Sequence, residues 1–271
     1  MTEMQKKFCG RAKIVRKQEV ADELFEFEVA CPQIASTAMP GQFIQVRAAD
    51  VNSPLLRRPF SIAGVEDENL VLLIKRVGQG TALICEKKTG EELDLIGPLG
   101  QGFPTMVENK NYLLVAGGYG IAPFRFFTTR HSSAGGRILY GARTKREINF
   151  FDEHLSMMGC SGWEVVYCTE DGTLGRKCLV TGLLEEELEI ESGYEAVYAC
   201  GPLAMLKEVV RIADKHKLPC WVSMETHMGC GFGVCRGCAI PVKTGAKSAY
   251  KHACLDGPVF RADEIDWDKL P

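Results

Sequence analysis

The chain has 271 residues, 46% of them hydrophobic and 25% charged, with a formal net charge of −3 and 12 cysteines. At about 150 residues per domain this reads as two domains with a small appendage, long enough to bury a core without disulfides. The near-neutral balance argues against nucleic-acid or anionic-membrane partners, and no run approaches the roughly 18 apolar residues of a spanning helix.

The opening segment MTEMQKKFCGRAKIV carries lysines but no apolar stretch behind them, so it does not read as a signal peptide. A cytoplasmic chain is expected, with its cysteines as free thiols or metal ligands. Phe25, Phe27 and Val29 alternate with Glu26 and Glu28, the period of a half-buried strand. Further strands are expected at Gln42 to Arg47, Pro59 to Gly64 and Leu70 to Val77, separated by Pro40-Gly41, Asn52-Ser53-Pro54 and Asp67-Glu68-Asn69. Short strands at this spacing predict an antiparallel barrel or sandwich. The Gly- and Pro-dense stretch Gly97 to Pro104 marks a boundary.

Beyond it the period changes. Asn111 to Ala116, Arg137 to Ala142, Trp163 to Thr169 and Tyr194 to Cys200 read as buried strands, with a fifth at Pro219 to Met224. A helix is expected after Pro123, and Leu183, Leu184, Leu188 and Ile190 have helical spacing among glutamates. Alternating strands and helices predict a doubly wound parallel sheet. The expected domains are therefore a β-barrel over 1–103, an α/β domain over 104–222 and a small metal module over 223–271.

The tail carries the most specific pattern. Cys230, Cys235, Cys238 and Cys254 form C-x4-C-x2-C-x15-C, the plant-type spacing for a [2Fe–2S] cluster. Two irons need four thiolates, and a curled loop must present three of them. Gly229, Gly231, Gly233 and Gly237 let that backbone approach and aim N–H groups at sulfur. Four thiolates could also hold zinc, although zinc modules usually show two close cysteine pairs.

Two further segments carry a resemblance. Arg58-Pro59-Phe60-Ser61 resembles the flavin motif of the ferredoxin reductase superfamily, and Gly80-Thr81, after Leu73-Ile74-Lys75, resembles its second flavin element. There the guanidinium and the loop N–H groups hold the FAD diphosphate, while the aromatic ring and hydroxyl meet the isoalloxazine. The turn Gly117-Gly118-Tyr119-Gly120-Ile121-Ala122-Pro123 is not the G-x-G-x-x-G fingerprint but is similar to that superfamily's nicotinamide loop. Cys200-Gly201-Pro202 matches its C-G-P element, although Cys200 could equally be a core thiol. NAD is favoured over NADP because no basic run marks a 2′-phosphate pocket.

From about Phe8 to Trp267 the chain resembles the electron-transfer subunits of NAD-dependent, class 1B dihydroorotate dehydrogenases. The tail, with Ala253-Cys254-Leu255-Asp256-Gly257-Pro258, is the most specific part. The resemblance implies FAD, a [2Fe–2S] cluster, NAD and an FMN-bearing catalytic partner, two of each chain, in pyrimidine synthesis. The usual Ile-Tyr-Arg of the second flavin element is Leu73-Ile74-Lys75 here, and Phe60 replaces a branched aliphatic residue. Small subunits of NADH-dependent ferredoxin:NADP oxidoreductases or sulfide dehydrogenases share the layout; Cys230 restores a full thiolate set and favours the first family.

Other features read as structural. His131, His154 and His227 lack companions at ligand spacing, Glu185-Glu186-Glu187 reads as a solvated helix face, and Met157 and Met158 as core filler. No Ser/His/Asp set or carboxylate pair points to catalysis on a bound substrate.

Overall fold

The structure is a computed structural model and describes residues 7–49, 53–148, 162–244 and 247–270. His154, Met157 and Met158 lie outside the described residues. The first unit runs β1 (Phe8–Ala21), β2 (Leu24–Ala30), α1 (Pro32–Ala35), β3 (Phe43–Val46), β4 (Arg58–Glu66), β5 (Asn69–Lys75), α2 (Gln79–Glu86) and β6 (Glu92–Leu99). Its six strands close into an antiparallel barrel of order β1-β2-β5-β4-β3-β6. The period of two decides which side chains fill it: Leu70, Leu72 and Ile74 point inward with Ile14, Phe27, Ile44 and Leu95. Val71 and Leu73 face the other way, into the seam with the second unit.

Two barrel strands were not legible in advance. β1 is long and charged, with only Ala12 and Ile14 fully buried in its length. β6 runs through Gly97-Pro98-Leu99, so the start of the Gly/Pro stretch completes a strand.

The second unit runs β7 (Asn111–Gly117), α3 (Ala122–Arg130), β8 (Gly135–Ala142), β9 (Trp163–Thr169), β10 (Arg176–Lys177), α4 (Val180–Ile190), β11 (Tyr194–Cys200), α5 (Leu203–Lys215) and β12 (Cys220–Ser223). The tail adds the hairpin β13 (Ala239–Thr244) and β14 (Lys247–His252), then β15 (Val259–Arg261). The sheet order is β10-β9-β8-β7-β11-β12-β15, parallel except for β15 against β12. Both faces are covered: Leu113 and Val115 of β7 meet the α4 and α5 side, and Leu114 and Ala116 meet Phe124 and Phe127 of α3. From β7 the chain winds one way to β8 and β9, then returns to β11 and β12 on the other side. The crevice at the ends of β7 and β11 is thus a topological switch point, where such sheets receive ligands.

Two expectations about glutamates are corrected. Glu187 is 8% exposed, not solvated: it faces the sheet, accepts Arg137 Nη1 at 2.5 Å and is hydrogen-bonded by the Tyr194 hydroxyl. Ile190, expected in that helix's core stripe, is 83% exposed at its end. Glu26, on the supposed solvent side of β2, is 4% exposed because α3 packs over it. There Arg125 of α3 bonds both Glu26 and, at 2.8 Å, Glu66. Arg16 also reaches Glu26, at 2.7 Å.

Candidate functional site

Two cavities open side by side where the barrel meets the switch-point crevice. The first, of about 410 Å³, is lined by Arg58, Pro59, Phe60 and Ser61 of β4, Leu73 and Lys75 of β5, and Thr81. Gly120 and Cys200 close it from the sheet side. Nine of the residues expected from sequence are therefore brought to one cavity, seven on the barrel wall and two on the sheet side. Ile74 is not: its side chain is fully buried inside the barrel, because it alternates with Leu73 and Lys75.

Gly80 stands just behind that wall. A Cβ there would lie 2.7 Å from Arg58 Nε and 2.9 Å from its Cζ, so only glycine lets the guanidinium lie against the first turn of α2. Arg58 is held from behind by Leu56 O at 2.6 Å. The Thr81 hydroxyl accepts the N–H groups of Val77 at 2.9 Å and Gly78 at 3.1 Å, which fixes the turn entering α2. A flat apolar floor with a cation and a helix start at one end is the shape and chemistry a flavin diphosphate needs.

The second cavity, of about 630 Å³, lies over the ends of β7, β8 and β11 and includes Gly117, Gly118, Gly141, Gly201 and Arg143. Gly118 has a φ of +55°. Gly120 is packed so closely on β11 that a Cβ would lie 2.3 Å from Cys200 O. This strand-to-helix turn with α3 behind it has the form of a dinucleotide cradle. Lys75, Val77, Tyr119 and Glu225 line both cavities, so the two share a wall. The Glu225 charge, with burial, raises the Tyr119 pKa. Burial raises the Cys200 thiol far above its ordinary range, with the Glu225 charge adding to it, so Cys200 remains a neutral thiol.

Tyr119, Ser223 and Glu225 at this wall were not singled out from sequence as site residues, nor was His227, read as a surface or core histidine. Tyr119 lies within the glycine loop already noted, and no local motif marks the other three. They meet because β12 ends beside β11 at the switch point.

Beyond the first cavity lies the cysteine loop. Cys238 and Cys254 are buried, with their sulfurs 3.2 Å apart. Cys230 is half-buried and Cys235 exposed. The backbone N–H groups of Phe232, at 3.4 Å, and Cys235, at 3.5 Å, point at Cys230 Sγ. These backbone donors, with that of Val234, outweigh partial burial and lower the Cys230 pKa to about 7. The glycines make the cradle: a Cβ on Gly229 would lie 3.2 Å from Cys235 Sγ, and one on Gly233 2.2 Å from Leu255. Gly231 and Gly233 have φ of +82° and +88°. Among the described residues no three His, Cys, Asp or Glu side chains are grouped around a single point for one ion. A cysteine sulfur aimed at by backbone N–H groups, in a glycine-rich loop beside three further cysteines, suits an iron–sulfur cluster.

Fold and site together define an NAD-linked iron–sulfur flavoprotein of the ferredoxin reductase-like class. Residues 225–266 match the model for the iron–sulfur cluster binding domain of dihydroorotate dehydrogenase B, and residues 114–211 the oxidoreductase NAD-binding domain. The dihydroorotate dehydrogenase B (NAD(+)) electron transfer subunit of Desulforamulus reducens is 35% identical over 95% of this chain and 98% of its own. That of Caldanaerobacter subterraneus is 36% identical over 94% and 97%. This chain belongs to that family of electron transfer subunits. Among solved structures, an NADH-dependent reduced ferredoxin–NADP oxidoreductase aligns with a TM-score of 0.82 at 30% identity, covering 96% of this chain and 91% of the other. The ferredoxin reductase of carbazole 1,9a-dioxygenase, at 22% identity and a TM-score of 0.65 over 79% and 67% of the two chains, shares the fold.

Proposed function

We propose that this chain passes electrons from an FMN-bearing dihydroorotate dehydrogenase subunit, through a [2Fe–2S] cluster and FAD, to NAD+. The net reaction is dihydroorotate and NAD+ to orotate, NADH and a proton, serving pyrimidine synthesis in the cytoplasm. The observation that carries the reading is the shared wall of the two cavities at Lys75, Val77, Tyr119 and Glu225. FAD, when bound, exchanges hydride with a nicotinamide and single electrons with a cluster, which is the conversion this pair of couples requires.

In this reading Arg58 and the Gly80-Thr81 turn hold the FAD diphosphate, and Pro59, Phe60, Ser61, Leu73 and Lys75 frame the ring. Ile74 contributes only by filling the barrel behind them. Gly118 receives the NAD pyrophosphate, Gly120 holds the turn against β11 that shapes that site, and neutral Cys200 forms the floor between the two cofactors. Cys230, Cys235, Cys238 and Cys254 are the cluster ligands. The units 1–103, 104–222 and 223–271 then carry flavin, nicotinamide and cluster respectively. Among the described residues no helix is long and apolar enough to cross a membrane.

The test is dihydroorotate-dependent NADH formation by the complex that the tagged chain draws from its native lysate. Activity with a co-purifying FMN subunit, two of each chain, is the expected result. A large FAD- or ferredoxin-linked partner without dihydroorotate activity refutes it and favours the related ferredoxin:NADP oxidoreductases.

A further inference from the structure

Gln45 sits in β3, paired across the barrel with Pro59 of the flavin-side motif and with Ile96. It is fully buried, a position an apolar residue would ordinarily fill. Its Nε2 lies 3.8 Å from Met228 Sδ, and its Oε1 is buried with no hydrogen-bond partner. The amide lies flat against Gly231, next in sequence to Cys230. A Cβ at Gly231 would stand 2.5 Å from Gln45 Cγ and 2.7 Å from Nε2. Gln45 thus touches the flavin-side strand with its backbone and the cysteine loop with its side chain.

Leaving a buried amide oxygen unpaired costs stability that leucine or methionine would not incur, which asks for a compensating role. We propose that Gln45 is a positioning residue: it seats the Cys230–Cys235 loop on the barrel, and its amide N–H end raises the reduction potential of the cluster held there. The inference rests on the cluster reading above. Reduction adds negative charge, which a fixed N–H dipole in a dry seam stabilises. Gly231 is what permits the contact, since any side chain there would both strain the φ of +82° and strike Gln45.

The experiment compares the purified, cofactor-loaded wild-type chain with Gln45→Leu and Gln45→Met. Iron, sulfide and flavin content are measured, followed by a redox titration of the cluster monitored by electron paramagnetic resonance. Gln45→Met fills nearly the same volume without the amide and keeps the test open if the leucine variant does not fold. Both variants should retain iron, sulfide and flavin, show an altered cluster spectrum and titrate at a more negative potential. The expected fall is at least about threefold in the one-electron equilibrium, roughly 28 mV at 59 mV per tenfold. A fully loaded variant with the wild-type potential and spectrum, or with a raised potential, overturns the proposal. A wild-type chain that binds no iron and sulfide instead overturns the cluster reading, and the inference falls with it.

Discussion

The ion network under α3 provides a quantitative test of how the nicotinamide unit is fixed to the flavin barrel. The Arg125 side chain is 9% exposed and that of Glu26 is 5%, so their pair is screened little by solvent. Removing one member of a buried pair costs about 3–5 kcal/mol when the other is stranded. Glu26 is not stranded by Arg125→Met, because Arg16 at 2.7 Å and Gln18 at 3.3 Å still reach it, and Glu66 is 34% exposed to water. The expected loss is therefore smaller, about 2–3 kcal/mol. Glu26→Gln removes the charge that Arg125 and Arg16 share and should cost about 3 kcal/mol or more. In the double variant the two losses should overlap, with a coupling of at least about 1 kcal/mol. Calorimetric unfolding of the four proteins supplies the cycle. α3 begins two residues after Gly120, so Arg125→Met should also raise the KM for NADH in a dye-reduction assay. Strictly additive losses, or a loss under about 0.5 kcal/mol for Arg125→Met, would refute the view that this network fixes the two units together.

Three other outcomes follow from the geometry. Gly120→Ala forces the turn away from Cys200 O, so NADH oxidation should fall about tenfold or more, equivalent to about 1.4 kcal/mol, while flavin absorbance is retained. Cys235→Ser should weaken or abolish iron and sulfide binding and leave the flavin in place; full iron and sulfide content in that variant would remove Cys235 from the ligand set. Burial, the bond to Glu187 and the Glu187 charge raise the Tyr194 pKa above its ordinary value near 10. A raised acid pKa means the folded state holds its proton longer than the unfolded one, so that stability is complete below about pH 10 and is lost above it. Melting temperature should fall between about pH 10 and 11, less steeply in Tyr194→Phe; an equal fall in both proteins contradicts the assignment.

The sequence by itself determined what is written in local period and spacing. Tyr194 to Cys200 was readable as β11 because its length from Ala196 to Cys200, buried on both faces, is a continuous apolar run. The cluster tail was readable because thiolate ligation needs particular residues at particular separations. The Arg58 to Ser61 motif was readable because it is contiguous. Tertiary structure alone decided the rest. β1 gave little signal because only part of one face reaches the core, and β6 was hidden by its Gly-Pro pair. Glu26 and Glu187 had the residue type of a surface, and only their partners Arg125, Arg137 and Tyr194, brought from other elements, show why they are inside. Ile74 stood within a flavin-like segment yet faces the barrel core, because a strand sends neighbouring side chains to opposite sides. The wall shared by Lys75, Val77, Tyr119 and Glu225, and the contact of Gln45 with Gly231, join segments far apart in sequence. Such meetings leave no local trace, since only the strand order of the barrel and sheet brings them together.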